Sequence, residues 1–310
     1  MNQPQKIVQL TPIGEDADAR LRHQHQAIPL WQGANTNLPT TVQVLVTSVR
    51  RGCSAEDMKK WPQLKAICSW GAGYDTIDLN AAASLGIQVS NTPNVLDECV
   101  ADMAWGLILS VARRIPEGDR YVRQGHWQEL GQFPLGRSVA GKRLGLLGLG
   151  RIGQAIAQRA IGFRMAVGYH NRRQLPDSKY QFFAELNDLA QWADYLVVAC
   201  TGGPQTKHLV NKSVLCSLGA NGIIINISRG SVIDQPALIH ALQHAHIAGA
   251  GLDVLANEPG APEALQALDN VVLTPHMASA THETRNLMQE RVIHNVEHFL
   301  TYGQVLDRVN

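Results

Sequence analysis

The sequence has no apolar run approaching the ~20 residues that a bilayer-spanning helix requires, which argues against a membrane protein. Residues 1–6 lead straight into the strand-like stretch at residues 7–10 and lack the apolar core of a secretory leader. Charge of one sign is not in excess either. With 27 Lys and Arg against 26 Asp and Glu, nothing favours nucleic acid or an anionic membrane as partner. Cysteine is sparse. Cys53, Cys68, Cys99, Cys200 and Cys216 are odd in number, scattered, and form no C-x-x-C pair. That argues against a disulfide framework and for a reducing, cytoplasmic setting. Internal repeats and low-complexity linkers are also missing.

What is there is an alternation of strand and helix signals over 310 residues, long enough for two domains of about 100–200 residues each. Residues 41–47, 64–68 and 87–90 read as strands. Ser54 reads as the N-cap of a short helix ending near Trp61, and residues 79–85 as a helix closed by Gly86. Residues 100–112 are apolar on nearly every side, which suggests a helix buried between domains or at a subunit contact. Further strands follow at 143–147, 165–169, 195–199, 222–227, 250–254 and 270–273, and a last helix spans roughly 283–300. This pattern predicts an α/β protein with parallel sheets and helices on their faces. The expected division is residues 1–96 with 285–310 against residues 97–284.

The most specific feature is Gly148-Leu149-Gly150-Arg151-Ile152-Gly153, set between an apolar strand and a helix-like run. In the dinucleotide fingerprint the first glycine makes the tight turn and the second admits the pyrophosphate. The third lets the helix pack on the strand, whose partner helix directs its positive end at the phosphates. The next strand ends in His170-Asn171-Arg172-Arg173, and no acid occurs between Gly162 and Leu175. An NAD site usually places Asp or Glu there for the ribose 2′-hydroxyl. A carboxylate would repel a 2′-phosphate whereas guanidinium groups pair with it, so Asn171, Arg172 and Arg173 predict NADPH over NADH.

Three chemically capable residues directly follow three strands: Arg229 in Ser228-Arg229-Gly230, Glu258 in Asn257-Glu258-Pro259, and His276 in Pro275-His276-Met277. The carboxyl ends of parallel strands share one edge, where ligands bind, so these distant residues can converge. Their types suit reduction of a 2-oxo acid, in which hydride reaches the carbonyl carbon and the developing alkoxide needs a proton. His276 can supply that proton near neutral pH. Glu258, hydrogen-bonded to the ring, would favour the imidazolium. Arg229 can bind the substrate carboxylate and polarise the carbonyl. Spacing alone leaves an ordinary reading open at each position: a loop cap, a surface turn and a structural donor.

At these residues the chain resembles the D-isomer-specific 2-hydroxyacid dehydrogenases, in particular the glyoxylate/hydroxypyruvate reductase branch. The resemblance is carried by residues 71–79 (GAGYDTIDL), 139–142 (VAGK) leading into 148–153, and 226–230 (NISRG). It continues through 251–254 (GLDV), 257–259 (NEP) and 273–276 (LTPH). It implies a Rossmann-type doubly wound domain plus a smaller flavodoxin-like α/β substrate domain. It implies Arg229, Glu258 and His276 as the catalytic set, and Gly71, Ala72 and Gly73 on the substrate carboxylate. Asp253 would hold the nicotinamide carboxamide, and Met103, Thr201, Thr206 and Ile227 would also line the cofactor. Members are usually homodimers joined through their cofactor domains, which fits the apolar helix after Val100. Met277-Ala278 departs from the Ile-Gly that commonly follows the histidine, which bears on substrate preference.

Two histidine groups read as incidental. His294, Glu297 and His298 match H-x-x-E-H, but a catalytic zinc needs a third ligand and an open position, and only twelve residues follow. His240, His244 and His246 read as a solvated helix face, with His246 pointing away from the other two. No metal is expected. The leading expectation is NADPH-dependent reduction of glyoxylate or hydroxypyruvate to the D-hydroxy acid. The alternatives are a broad D-lactate-type dehydrogenase and, from another class, a dinucleotide-sensing corepressor.

Overall fold

The computed structural model describes residues 6–31, 33 and 39–310. Residues 1–5, on which the reading of the amino-terminal stretch mostly rests, lie outside the described residues. The chain forms two compact units, Met1–Leu96 with Ala280–Asn310, and Asp97–Ser279. Among the described residues no helix is long and apolar enough to cross a membrane.

In the first unit β1 (Ile7–Gln9), β2 (Ile28–Pro29), β3 (Val44–Ser48), β4 (Ala66–Trp70) and β5 (Gln88–Ser90) form a parallel sheet. Its order, β2-β1-β3-β4-β5, is the flavodoxin-like one. Ile7, Val44, Val46, Ala66 and Cys68 fill one face. They lie under Ala17 and Leu21 of α1 (Glu15–His25) and under Val292, Ile293, Val296 and Phe299 of the helix His282–Tyr302. Val8, Leu45, Ile67 and Val89 fill the other face, beneath Met58 of α2 (Ala55–Lys59) and Ala82 of α3 (Leu79–Ser84). Cover on both faces explains why these strands are apolar throughout instead of alternating. Ser54 does cap α2. Its Oγ accepts the Asp57 N–H at 3.1 Å while Asp57 accepts the Ser54 N–H at 3.3 Å, a reciprocal capping box.

The second unit begins with α4 (Asp97–Ala112) and α5 (Ile115–Arg123). Its seven strands are β6 (Arg143–Leu147), β7 (Ala166–His170), β8 (Gln181–Phe182), β9 (Tyr195–Val198), β10 (Ile223–Asn226), β11 (Gly249–Leu252) and β12 (Val271–Leu273). All pair in parallel, in the order β12-β11-β10-β9-β6-β7-β8. The order reverses between β6 and β9, so the sheet is doubly wound and opens a crevice at the carboxyl ends of those two strands. Much of the apolar character of α4 is accounted for within this unit. The helix lies across β10, β11 and β12 and against α6 (Arg151–Ala160), burying Val100, Ala101, Ala104, Leu107 and Ile108. Trp105 stacks on Phe163 with ring centroids 4.4 Å apart, and its Nε1 donates to the Ile156 carbonyl at 3.1 Å.

Candidate active site

The strand β6 ends at Leu147, and the chain turns through Gly148 (φ 102°) to Gly150, the N-cap of α6. A Cβ on Gly148 would stand 2.6 Å from the Cys200 nitrogen, and one on Gly153 would overlap the Gly148 carbonyl. The turn therefore closes this tightly only with glycine at both positions. The first N–H groups of α6 have no intrahelical acceptor and sit at the positive end of its dipole, as an anion site requires. Cys200 walls the crevice opposite as a neutral thiol, since burial pushes its pKa up to about 11. Thr206, in the 3₁₀ turn Pro204–Thr206, donates from Oγ1 to the Thr201 carbonyl at 2.8 Å, so the structure brings these two residues together. Ile227 is buried just beyond β10, and Met103 is half-buried on α4.

At the end of β7, Asn171 Oδ1 accepts the Leu149 N–H at 2.8 Å. That bond ties the glycine turn to the neighbouring strand and leaves the amide NH₂ as the group Asn171 can still offer a ligand. Arg172 Nη1 donates to Gln205 Oε1 at 2.9 Å, and Arg173 is exposed beside it. Gln205 has no sequence signal of its own. It matters only because the 3₁₀ turn carries it to Arg172. Two cations, an amide donor and no carboxylate fit a ribose 2′-phosphate.

Farther along the same edge, His276 Nδ1 and Glu258 Oε2 lie 2.7 Å apart, each side chain a little over a quarter exposed. The other Glu258 oxygen accepts the Leu255 N–H at 2.9 Å, which fixes the carboxylate toward the ring. His276 has φ 52°, a conformation that a non-glycine residue keeps only when its surroundings enforce it. The buried Asp253 supplies that enforcement. Its carboxylate accepts the Thr274 hydroxyl at 2.6 Å and the Met277 and Ala278 N–H groups at 2.9 Å each. Its own carbonyl accepts the His276 N–H at 2.9 Å. Thr274, unremarked in the sequence, is thus part of the support. Arg229 follows β10, with Nη1 donating to the Ser228 carbonyl at 2.8 Å. Gly230 packs so closely on the backbone of Leu255 and Ala256 that any Cβ would overlap it, which seats the Arg229 loop against the loop carrying Glu258.

Gly71, Ala72 and Gly73 belong to the first unit, directly after β4. Gly71 (φ 134°) donates its N–H to Thr92 Oγ1 at 3.2 Å, and Asn91 Nδ2 donates to the Ala72 carbonyl at 2.6 Å.

The histidine groups stand differently from one another. Glu297 is taken by Arg20 at 2.8 Å and His25 at 3.1 Å, and His298 Nδ1 by the Gln304 carbonyl at 2.6 Å. The orientation expected of His246 is corrected. The helix Gln235–Gln243 ends before it, and Ala245 (φ 53°) turns the chain back, gathering the rings of His240, His244 and His246 with centroids 4.1–5.8 Å apart. The charge on His244 is the main influence holding the exposed His240 below the usual histidine range. Among the described residues no His, Cys, Asp or Glu group is arranged to hold a metal.

Residues 105–278 match the family described as D-isomer specific 2-hydroxyacid dehydrogenase, NAD binding domain. Glyoxylate/hydroxypyruvate reductase A of Arabidopsis thaliana is 41% identical over 299 residues, covering 94% of this chain and 95% of that protein. The 2-ketogluconate reductase of Gluconobacter oxydans is 39% identical over 310 residues, the full length of both. Among solved structures, the NADPH-dependent glyoxylate/hydroxypyruvate reductase of Sinorhizobium meliloti, in complex with NADP and malonate, aligns with a TM-score of 0.93 at 38% identity. That alignment covers 99% of this chain and 97% of the other.

Proposed function

The chain belongs to the D-isomer-specific 2-hydroxyacid dehydrogenases, and from that premise we propose that it reduces small 2-oxo acids, glyoxylate or hydroxypyruvate, to D-2-hydroxy acids with NADPH. The observation that carries this reading is the 2.7 Å His276–Glu258 pair on the same sheet edge as the glycine turn. The residues fit the cofactor, since the Gly148 cradle would be filled by any Cβ and the β7 end offers cations without a carboxylate. The unit Asp97–Ser279 would hold the dinucleotide, with the pyrophosphate on residues 149–152 and the 2′-phosphate at Asn171, Arg172 and Arg173. When bound, the reduced nicotinamide supplies hydride to the substrate carbonyl carbon. Arg229 binds the substrate carboxylate, and its guanidinium also polarises the carbonyl. His276 holds the transferable proton on Nε2, because Nδ1 faces Glu258, and delivers it to the carbonyl oxygen as negative charge develops there. Glu258 stabilises the imidazolium and fixes the ring.

A homodimer is part of this reading. Its support is the apolar surface along residues 115–135, where Leu130 is 89% and Leu135 94% exposed alongside Ile115, Val122 and Trp127. A cytoplasmic setting is supported by five cysteines that are all free. The test is absorbance loss at the dihydronicotinamide band with a panel of 2-oxo acids and each cofactor. Turnover of glyoxylate with NADPH that collapses in His276→Asn is the expected result. Equal turnover by that variant would refute the proton-donor assignment.

A further inference from the structure

The residue that ends β10, Asn226, is only 1% exposed, and both ends of its side-chain amide are engaged. Its Oδ1 accepts the Ser228 N–H at 3.1 Å and its Nδ2 donates to the Arg229 carbonyl at 3.0 Å. One side chain therefore fixes both the entry to the Arg229 loop and the backbone of Arg229 itself. Its main chain reaches the other way. The Asn226 carbonyl accepts the Asp253 N–H at 3.0 Å, and Asp253 holds the His276 loop through its carbonyl and its carboxylate. An unbroken path of hydrogen bonds runs from the backbone of Arg229, through Asn226 and Asp253, to the backbone of His276.

We propose that Asn226 is a positioning residue for Arg229 and sets its placement relative to His276, an inference that rests on the reductase reading above. The chemistry demands an amide. The site needs an acceptor for Ser228 N–H and a donor to the Arg229 carbonyl about 3 Å from opposite ends of one planar group. A carboxylate lacks the donor and would set an oxygen against the Arg229 carbonyl, while Ala lacks both groups. The Val232 N–H also donates to the Arg229 carbonyl at 3.2 Å, but within the loop's own turn; the Asn226 amide ties that carbonyl to the end of β10, and its loss lets the loop shift against the strand. Misplacement of a substrate-binding group by about 1 Å can lower rates on the order of 100-fold.

The test compares Asn226→Asp with wild type in steady-state reduction of glyoxylate by NADPH, each also in an Arg229→Lys background. NADPH affinity is read by fluorescence titration. The expected result is a rise in glyoxylate KM of about tenfold or more in the otherwise wild-type protein, with NADPH affinity within about twofold. In the Arg229→Lys background the same substitution adds less than about twofold, because the group it positions has already been replaced. Asn226→Ala replaces Asn226→Asp if the buried charge prevents folding. A KM unchanged by either substitution, an equal penalty in both backgrounds, or parallel loss of NADPH affinity overturns the proposal. Wild-type protein that binds NADPH yet reduces no 2-oxo acid defeats the reductase reading itself, and this inference falls with it.

Discussion

Replacing Gly148 by alanine tests how closely the glycine turn must approach its ligand. The new Cβ would stand 2.6 Å from the Cys200 nitrogen and 2.7 Å from its Cα, both rigid backbone atoms at the end of the adjacent strand. Ordinary contact begins at about 3.4 Å, so the turn must open by roughly 0.8 Å. Alanine must also adopt φ 102°, a strain of about 1–3 kcal/mol that lowers stability. An N–H···O bond of about 2.9 Å stretched by that opening exceeds 3.5 Å and is lost. A charge-assisted bond contributes about 1.5–3 kcal/mol, so NADPH affinity should fall roughly 10- to 150-fold. Fluorescence titration of NADPH measures this directly. Gly162→Ala is the control, since its Cβ would meet nothing within 4 Å. If Gly148→Ala binds NADPH within about threefold of wild type while losing thermal stability, the strain falls on the fold and the cradle argument is wrong.

Three further outcomes are expected. Glu258→Gln keeps a hydrogen-bonding partner at His276 Nδ1 but removes the charge, so kcat for reduction should drop about 10- to 150-fold with glyoxylate KM little changed. Asn171→Asp retains the acceptor for Leu149 N–H but sets a carboxylate where the 2′-phosphate is expected, so kcat/KM for NADPH should fall about 10- to 100-fold while that for NADH holds or improves. The third concerns acid stability. Burial pushes the Asp57 carboxyl up, but hydrogen bonds from Arg51, Lys60 and the Ser54 N–H outweigh it and hold the pKa below the usual carboxylate range. With the folded value depressed, its stabilisation is complete above pH ~4 and is lost as pH falls further toward that value. Asn at position 57 should therefore lower stability by about 1.5–3 kcal/mol at pH 7, with the gap narrowing below pH 4 in urea unfolding.

The glycine turn is legible in the sequence because its constraints are local: each glycine answers to a neighbour within a few residues or to the strand next door. The convergence of Glu258 and His276 is legible for a different reason. Parallel strands place their carboxyl ends together, so a titratable residue just past each strand is directed to one edge. What supports these residues is harder to read. Asn226 looks in sequence like an ordinary polar strand end, and only the pairing of β10 with β11 shows that its carbonyl holds Asp253. Gln205 meets Arg172 through a 3₁₀ turn that no periodicity announces. The misreading of His246 has a definite cause: helical spacing was extended past Gln243, where the left-handed Ala245 breaks it. For α4, an apolar pattern reports burial but not the partners, which include its own sheet and α6.

The first unit is assembled from both ends of the chain, with its sheet laid down before Leu96 and one of its covering helices only after Ala280. During synthesis the ribosome therefore releases the sheet long before Val292, Ile293, Val296 and Phe299 arrive to shield it. Until then the face bearing Val44, Val46 and Ala66 stays partly open to water, and a nascent chain halted inside the second unit offers that surface to chaperones or to aggregation. The order of emergence thus makes the last helix the step that commits the half-built sheet to its native state.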